Sequence, residues 1–328
     1  MSKKVVILSL IVFASGFFLR GLFDNLFFQK KAIPAYPVRQ KGFKYTSPLL
    51  YCENPQGDEA GLTDLNNDLT NFIVTSRQDG LLDDASVYIR LPRSGTWTSV
   101  NDSDKYSPAS LLKVPVMMSY FKNAETNPAL LTKELKYDIN DTYDNQNFMP
   151  EKTLEKDKSY KIKDLIERMI IYSDNVAEDI LVSNISKKEF SNLFYGMDIE
   201  LLDYDHQEDS MNVKTFSYFF RALFNSTYLN KNMSETALSI LTRTTFSKGI
   251  VAGVPKNVVV AHKFAERAYS SNFSKQLHDC GIVYFPQNPY LICIMTRGNS
   301  FENLEAAIKT ISQKTYAAVK KWNEQQKS

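Results

Sequence analysis

From Ser110 to Phe121 the chain reads Ser-Leu-Leu-Lys-Val-Pro-Val-Met-Met-Ser-Tyr-Phe, apolar on nearly every side. A helix that is hydrophobic all round is stable only when other elements surround it. This run therefore predicts a buried helix, and with it a lobe built to enclose that helix. Pro115 is tolerable because it falls near the first turn, where few backbone bonds are lost. The cost falls on Lys113, a cation with little solvent to reach.

The flanking patterns supply the enclosure. Leu65, Leu69, Phe72 and Ile73 recur at helical spacing and predict a helix over 62–79, ending near Gly80. Strands are predicted at 85–91 and 96–100, around the turn Pro92-Arg93-Ser94-Gly95. Beyond the buried helix, approximate helical period continues at 162–172, 176–185, 187–195, 213–224 and 234–242. Strands return at 258–264, 281–285 and 290–296, the last two flanking Pro286-Gln287-Asn288-Pro289, and a long helix closes the chain over 301–322. N- and C-terminal strands can join in one antiparallel sheet flanked by helices, with the middle helices as a second, all-helical lobe. The expected class is α+β, and a small ligand would bind in the cleft between sheet edge and helical lobe.

The N-terminus speaks for compartment. Lys3 and Lys4 precede an apolar run from Val5 to Leu19, which orients the remainder outside the cytoplasm. Residues 1–28 read as an uncleaved signal anchor, the alternatives being a cleaved signal peptide or a buried or interfacial helix. Residues 29–61, without helical or strand period, read as a linker or a small loose segment, and 62–328 as the functional domain. The 39 basic and 37 acidic residues leave a formal net charge of +2. That balance gives no sign of a nucleic-acid partner. Three scattered histidines and three cysteines without ligand spacing make a metal site improbable, and no cofactor is implied. Buried free thiols are the favoured reading of Cys280 and Cys293, over a pairing across neighbouring strands.

Ser110 and Lys113 lie three residues apart at a helix start, so both side chains share one face. A serine hydroxyl needs an adjacent base, and a desolvated lysine can serve. The helix N-terminus would also favour developing negative charge. Taken alone, the pair is more often a cap and a snorkelling lysine. Ser173-Asp174-Asn175 lies between two apolar helices; alone it is an N-cap cluster, but beside Ser110 it offers a relay hydroxyl and a substrate-holding amide. Lys263 closes the strand Val258–His262. Such a lysine is usually a solvated edge residue, though beside a cleft it could hold a carboxylate.

These elements, in this order, resemble the serine β-lactamase and penicillin-binding-protein superfamily, in particular its class A β-lactamase-like branch, whose set is Ser-x-x-Lys, Ser-Asp-Asn and Lys-Thr-Gly. Pro108-Ala109, Gly253-Val254-Pro255 and the run from His278 to Tyr284 are similar to that branch as well. The resemblance implies Ser110 as nucleophile, Lys113 as base, Ser173 as proton relay, and Asn175 and Lys263 as substrate contacts. It also implies that the backbone N–H groups of Ser110 and Glu266 face the oxyanion. Two features depart from the pattern. The third motif reads Lys263-Phe264-Ala265, which lacks the hydroxyl and the glycine. Glu208 and Asn212 have the spacing of a deacylating pair, yet Asn212 also suits an N-cap and Glu208 a solvated run. The expected activity is a serine hydrolase acting on a β-lactam or peptidoglycan-like peptide. The alternative is a non-hydrolytic penicillin-sensing or wall-binding module on the same fold.

Overall fold

The sheet draws its strands from both ends of the sequence. The computed structural model describes residues 38–51, 62–140, 148–200, 209–269 and 274–325. Short strands β1 (Val38–Arg39) and β2 (Leu49–Tyr51) precede α1 (Thr63–Gln78), then β3 (Asp84–Arg90) and β4 (Trp97–Val100). The middle holds α2 (Lys113–Ala124), the small ladder β5 (Glu134–Lys136) and β6 (Ser159–Lys161), and helices α3 (Ile162–Ile171), α4 (Asn175–Ser183), α5 (Lys187–Gly196), α6 (Val213–Asn225) and α7 (Lys231–Leu241). Strands β7 (Val260–Ala268), β8 (Lys275–Val283) and β9 (Tyr290–Gly298) and helix α8 (Phe301–Gln325) complete the chain.

The main sheet is antiparallel, in the order β4-β3-β9-β8-β7, which puts β7 at an edge. Strand β3 is buried from Ala85 to Arg90, as expected of a strand covered on both faces. One face packs on α1 and α8 through Leu65, Leu69, Ile73, Ile308 and Ile311. The other meets the helical lobe, where Phe216, Phe219, Phe220 and Leu223 of α6 belong to the core that also encloses α2. Every residue of α2 from Lys113 to Phe121 is buried, as the apolar run predicts.

Three expectations need correction. Strand β8 starts at Lys275, six residues before the apolar run at Gly281, and β7 runs on to Ala268. The added stretch is polar but satisfied: Gln276 Oε1 accepts from the Ser107 N–H at 3.0 Å, and His278 and Asp279 are also hydrogen-bonded. Ladder pairing on both sides has overridden strand propensity. Cys280 and Cys293 are not free thiols. They stand opposite each other in the β8–β9 register, Cα atoms 4.0 Å apart, and form a disulfide.

The segment read as a linker is docked where it is described. Arg39 donates to the carbonyls of Ser47 (2.6 Å) and Pro92 (2.8 Å) and to Asn225 Oδ1 (2.8 Å). The Glu235 carboxylate collects the backbone N–H groups of Lys44, Tyr45 and Thr46. The anchor expected over residues 1–28 lies outside the described residues, among which no helix is long and apolar enough to cross a membrane.

Candidate active site

Three elements converge on Ser110. The first is a 3-10 turn, Ala109–Leu112, that runs directly into α2. Ala109 enters it with φ of 41°, a region that non-glycine residues rarely adopt and that tends to mark functional sites. The second is the turn between α3 and α4, where Ser173 is also left-handed, with φ of 55°. The third is edge strand β7, against which the Ser110 turn packs.

Asp174 holds the second element in place. Its Oδ1 caps α4 by accepting from Ala177 N–H at 3.0 Å, while Oδ2 takes Arg168 Nε at 3.2 Å and Nη2 at 3.1 Å. Asp174 is fully buried. A buried carboxylate is stable only when paired and hydrogen-bonded, and here both conditions are met.

Lys113 is fully buried at the centre. Its Nζ lies 2.8 Å from Ser110 Oγ, 2.5 Å from Asn175 Oδ1, 2.9 Å from Ser173 O and 3.3 Å from Ser173 Oγ. Ser110 itself is half-buried, so its hydroxyl is reachable from solvent while the Lys113 ammonium is not. The fifth partner was not legible from motif reading: Glu178 Oε2, 3.3 Å from Lys113 Nζ with a side chain 12% exposed. The signal was available, since Glu178 lies three residues after Asn175 and therefore on the same helical face.

Lys263 is also fully buried. Its Nζ donates to Ser173 Oγ at 2.8 Å and to the Phe264 carbonyl at 2.7 Å, and sits 4.3 Å from the Phe264 ring centroid. Ser173 Oγ is thus a bridge between two lysines. Burial first, and then the charge of Lys113, push Lys263 well below the ordinary lysine range. Its ammonium is directed at Ser173 Oγ and at its own strand. Glu266, two residues past Phe264 on β7, accepts from Phe148 N–H at 2.9 Å through Oε1. Of the pair considered for deacylation, Glu208 lies outside the described residues. Asn212 caps α6 by accepting from Thr215 N–H at 2.8 Å.

A hydroxyl against a buried lysine, with a second hydroxyl between that lysine and another, is an arrangement that can activate a serine nucleophile. A family model described as the beta-lactamase enzyme family matches residues 64–319. The chain belongs to the β-lactamase enzyme family. It is thereby a serine hydrolase of the β-lactamase type, and its fold agrees. A point mutant of PBP-A, solved as an acyl-enzyme complex with penicillin-G, matches with TM-score 0.65 at 20% identity over 79% of this chain and 97% of that one. A class A β-lactamase from Mycobacterium abscessus matches with TM-score 0.66 at 16% identity over 78% and 99%. The TLA-3 extended-spectrum β-lactamase matches with TM-score 0.69 at 16% identity over 79% and 99%. No curated protein matches by sequence. At these identities the structural likeness speaks for the fold alone.

Proposed function

We propose that this protein forms an acyl-enzyme on Ser110 with a β-lactam or a peptidoglycan-like peptide. The observation that carries the reading is the 2.8 Å contact between Ser110 Oγ and Lys113 Nζ inside a buried network. Ser110 Oγ attacks the carbonyl carbon, forming the ester bond as the scissile C–N bond breaks. Its proton passes to Lys113 and, through Ser173, to the departing nitrogen. Water then adds to the acyl carbon, and its remaining proton returns to Ser110. Asn175, held by Lys113, contacts the substrate amide, and the N–H groups of Ser110 and Glu266 receive the oxyanion.

The test is intact-protein mass spectrometry after prolonged exposure to benzylpenicillin and, separately, to a small fluorophosphonate, a reagent that labels activated serines. Both are expected to add once, at Ser110, and to leave Ser110→Ala unmodified. Absence of any adduct from both reagents overturns the reading. A long-lived penicillin adduct would favour the sensing alternative, whereas rapid loss of the adduct would identify hydrolysis. We also propose that the Lys3-Lys4 and Val5–Leu19 pattern tethers the protein to the membrane with its catalytic part outside. Recovery of the full chain in the carbonate-washed supernatant rather than the membrane pellet would overturn that placement.

A further inference from the structure

Two residues just ahead of the Ser110 turn, Tyr106 and Ser107, have every backbone polar group bonded. Tyr106 N–H donates to the Met211 carbonyl at 2.9 Å, and the Tyr106 carbonyl accepts from Ser210 N–H and Met211 N–H, both at 3.1 Å. Ser107 N–H donates to Gln276 Oε1 at 3.0 Å, and the Ser107 carbonyl lies 3.0 Å from His278 Nε2. Arg267 Nη1 donates to Ser107 Oγ, also at 3.0 Å. Tyr106, Ser107 and His278 are fully buried. Ala109 follows with its φ of 41°, and a conformation of that kind persists only where the surroundings over-determine it. The bonds to Tyr106 and Ser107 supply that constraint directly upstream.

Residues 209–211, which hold Tyr106, belong to no helix or strand of their own. Their anchor on the sheet is the Asp209 carboxylate. Oδ1 accepts from Gln276 Nε2 at 2.8 Å and from Tyr269 Oη at 3.3 Å, while Oδ2 lies 3.3 Å from Arg297 Nη2. Arg297 in turn lies over the Tyr106 ring, 4.5 Å from its centroid, and donates to the Lys105 carbonyl. The Gln276 amide is therefore a splice: its oxygen takes the Ser107 N–H, and its nitrogen reaches Asp209. Gln276 is 3% exposed, so both ends of that amide depend on these two partners. The Asp209–Arg297 pair is about a third exposed on both sides and adds little to stability. Its effect falls instead on the segment that delivers Ser110.

We infer that Gln276 and Asp209 are positioning residues for the Ser110 hydroxyl. Their side chains lock the segment leading into the turn, and so set where Ser110 Oγ stands against Lys113 Nζ. Neither touches the reacting atoms. The inference rests on the acyl-serine reading and adds to it two residues that lie outside the three motifs.

The test measures the second-order rate of Ser110 labelling by the small fluorophosphonate on the full chain, with the urea midpoint of each variant alongside. Asp209→Ala removes the anchor at a surface position and is expected to slow labelling by about tenfold with little change in midpoint. Asp209→Asn keeps an acceptor for Gln276 and is expected to stay within about threefold of the parent. Gln276→Glu keeps an acceptor for Ser107 N–H but sets a carboxylate against Asp209, and should slow labelling by about tenfold. The exchange Gln276→Glu/Asp209→Asn again faces an amide with a carboxylate, and is expected to recover the rate to within about threefold of the parent. Ile308→Val, in α8 on the opposite face of the sheet, lowers the midpoint without reaching this network and should leave the rate within about twofold. Unchanged labelling in both Asp209→Ala and Gln276→Glu overturns the inference and leaves the hydrolase standing. An exchange variant no faster than Gln276→Glu overturns it, as does slowing that follows the urea midpoint across all variants, Ile308→Val included. Absence of labelling in the parent protein overturns the acyl-serine reading and this inference with it.

Discussion

Asp174→Ala probes the link between folding and the site, because one carboxylate caps α4 and anchors the turn that presents Ser173. Loss of the cap bond to Ala177 N–H costs about 1 kcal/mol. Removing the partner of Arg168 would cost more if that guanidinium were buried, but its side chain is 19% exposed. Discounting for that hydration leaves about 2 kcal/mol. The sum is about 3 kcal/mol, which with an m-value of about 3 kcal/mol/M lowers the urea midpoint by about 1 M. Asp174→Asn keeps an acceptor for Ala177 and is expected to lose about 1 kcal/mol less. The site should suffer in parallel, since Ser173 and Asn175 flank the altered residue, and acylation is expected to slow by about tenfold or more. Urea unfolding followed by circular dichroism gives the first quantity, and adduct formation by mass spectrometry the second. A loss under about 1 kcal/mol for the alanine variant, or equal losses for both variants, would refute the assignment of a cap and an ion pair to one side chain.

Three further expectations concern other parts of the molecule. Glu178→Gln removes the negative charge 3.3 Å from Lys113 Nζ while keeping its shape. Lys113 Nζ then loses one of the contacts that hold it beside Ser110 Oγ, so acylation should slow by about threefold; an unchanged rate counts against that positioning role. His278 is buried, and burial holds it at about 4, below its ordinary 6.5. The unfolded chain therefore binds more protons between those values, so stability is full above pH 6.5 and falls as pH drops toward 4. That loss reaches about 3 kcal/mol and should show as a declining urea midpoint that His278→Gln flattens. The Cys280–Cys293 disulfide spans 13 residues of sequence, and its removal by a Cys280→Ala/Cys293→Ala pair should cost up to about 3 kcal/mol. An unchanged urea midpoint under oxidising conditions would contradict it.

The sequence by itself determined the lobe around α2, the two sets of sheet strands and the placing of Ser110 beside Lys113. Each of these is written in local spacing: an all-apolar helix demands enclosure, and residues three apart share a helical face. The polar half of β8 was hidden because it carries no apolar alternation, and its side-chain partner Ser107 is distant in sequence. The cysteine pairing was an open alternative because register between strands is set by the whole sheet and not by the spacing of two cysteines. Motif order singles out Ser110, Lys113, Ser173, Asn175 and Lys263, but only the tertiary structure decided where each one points. It put Glu178 against Lys113, turned Lys263 inward onto Ser173, and stacked Phe264 on Phe246. Such contacts join side chains far apart in the chain, and their geometry follows from how two lobes pack, which no local pattern encodes.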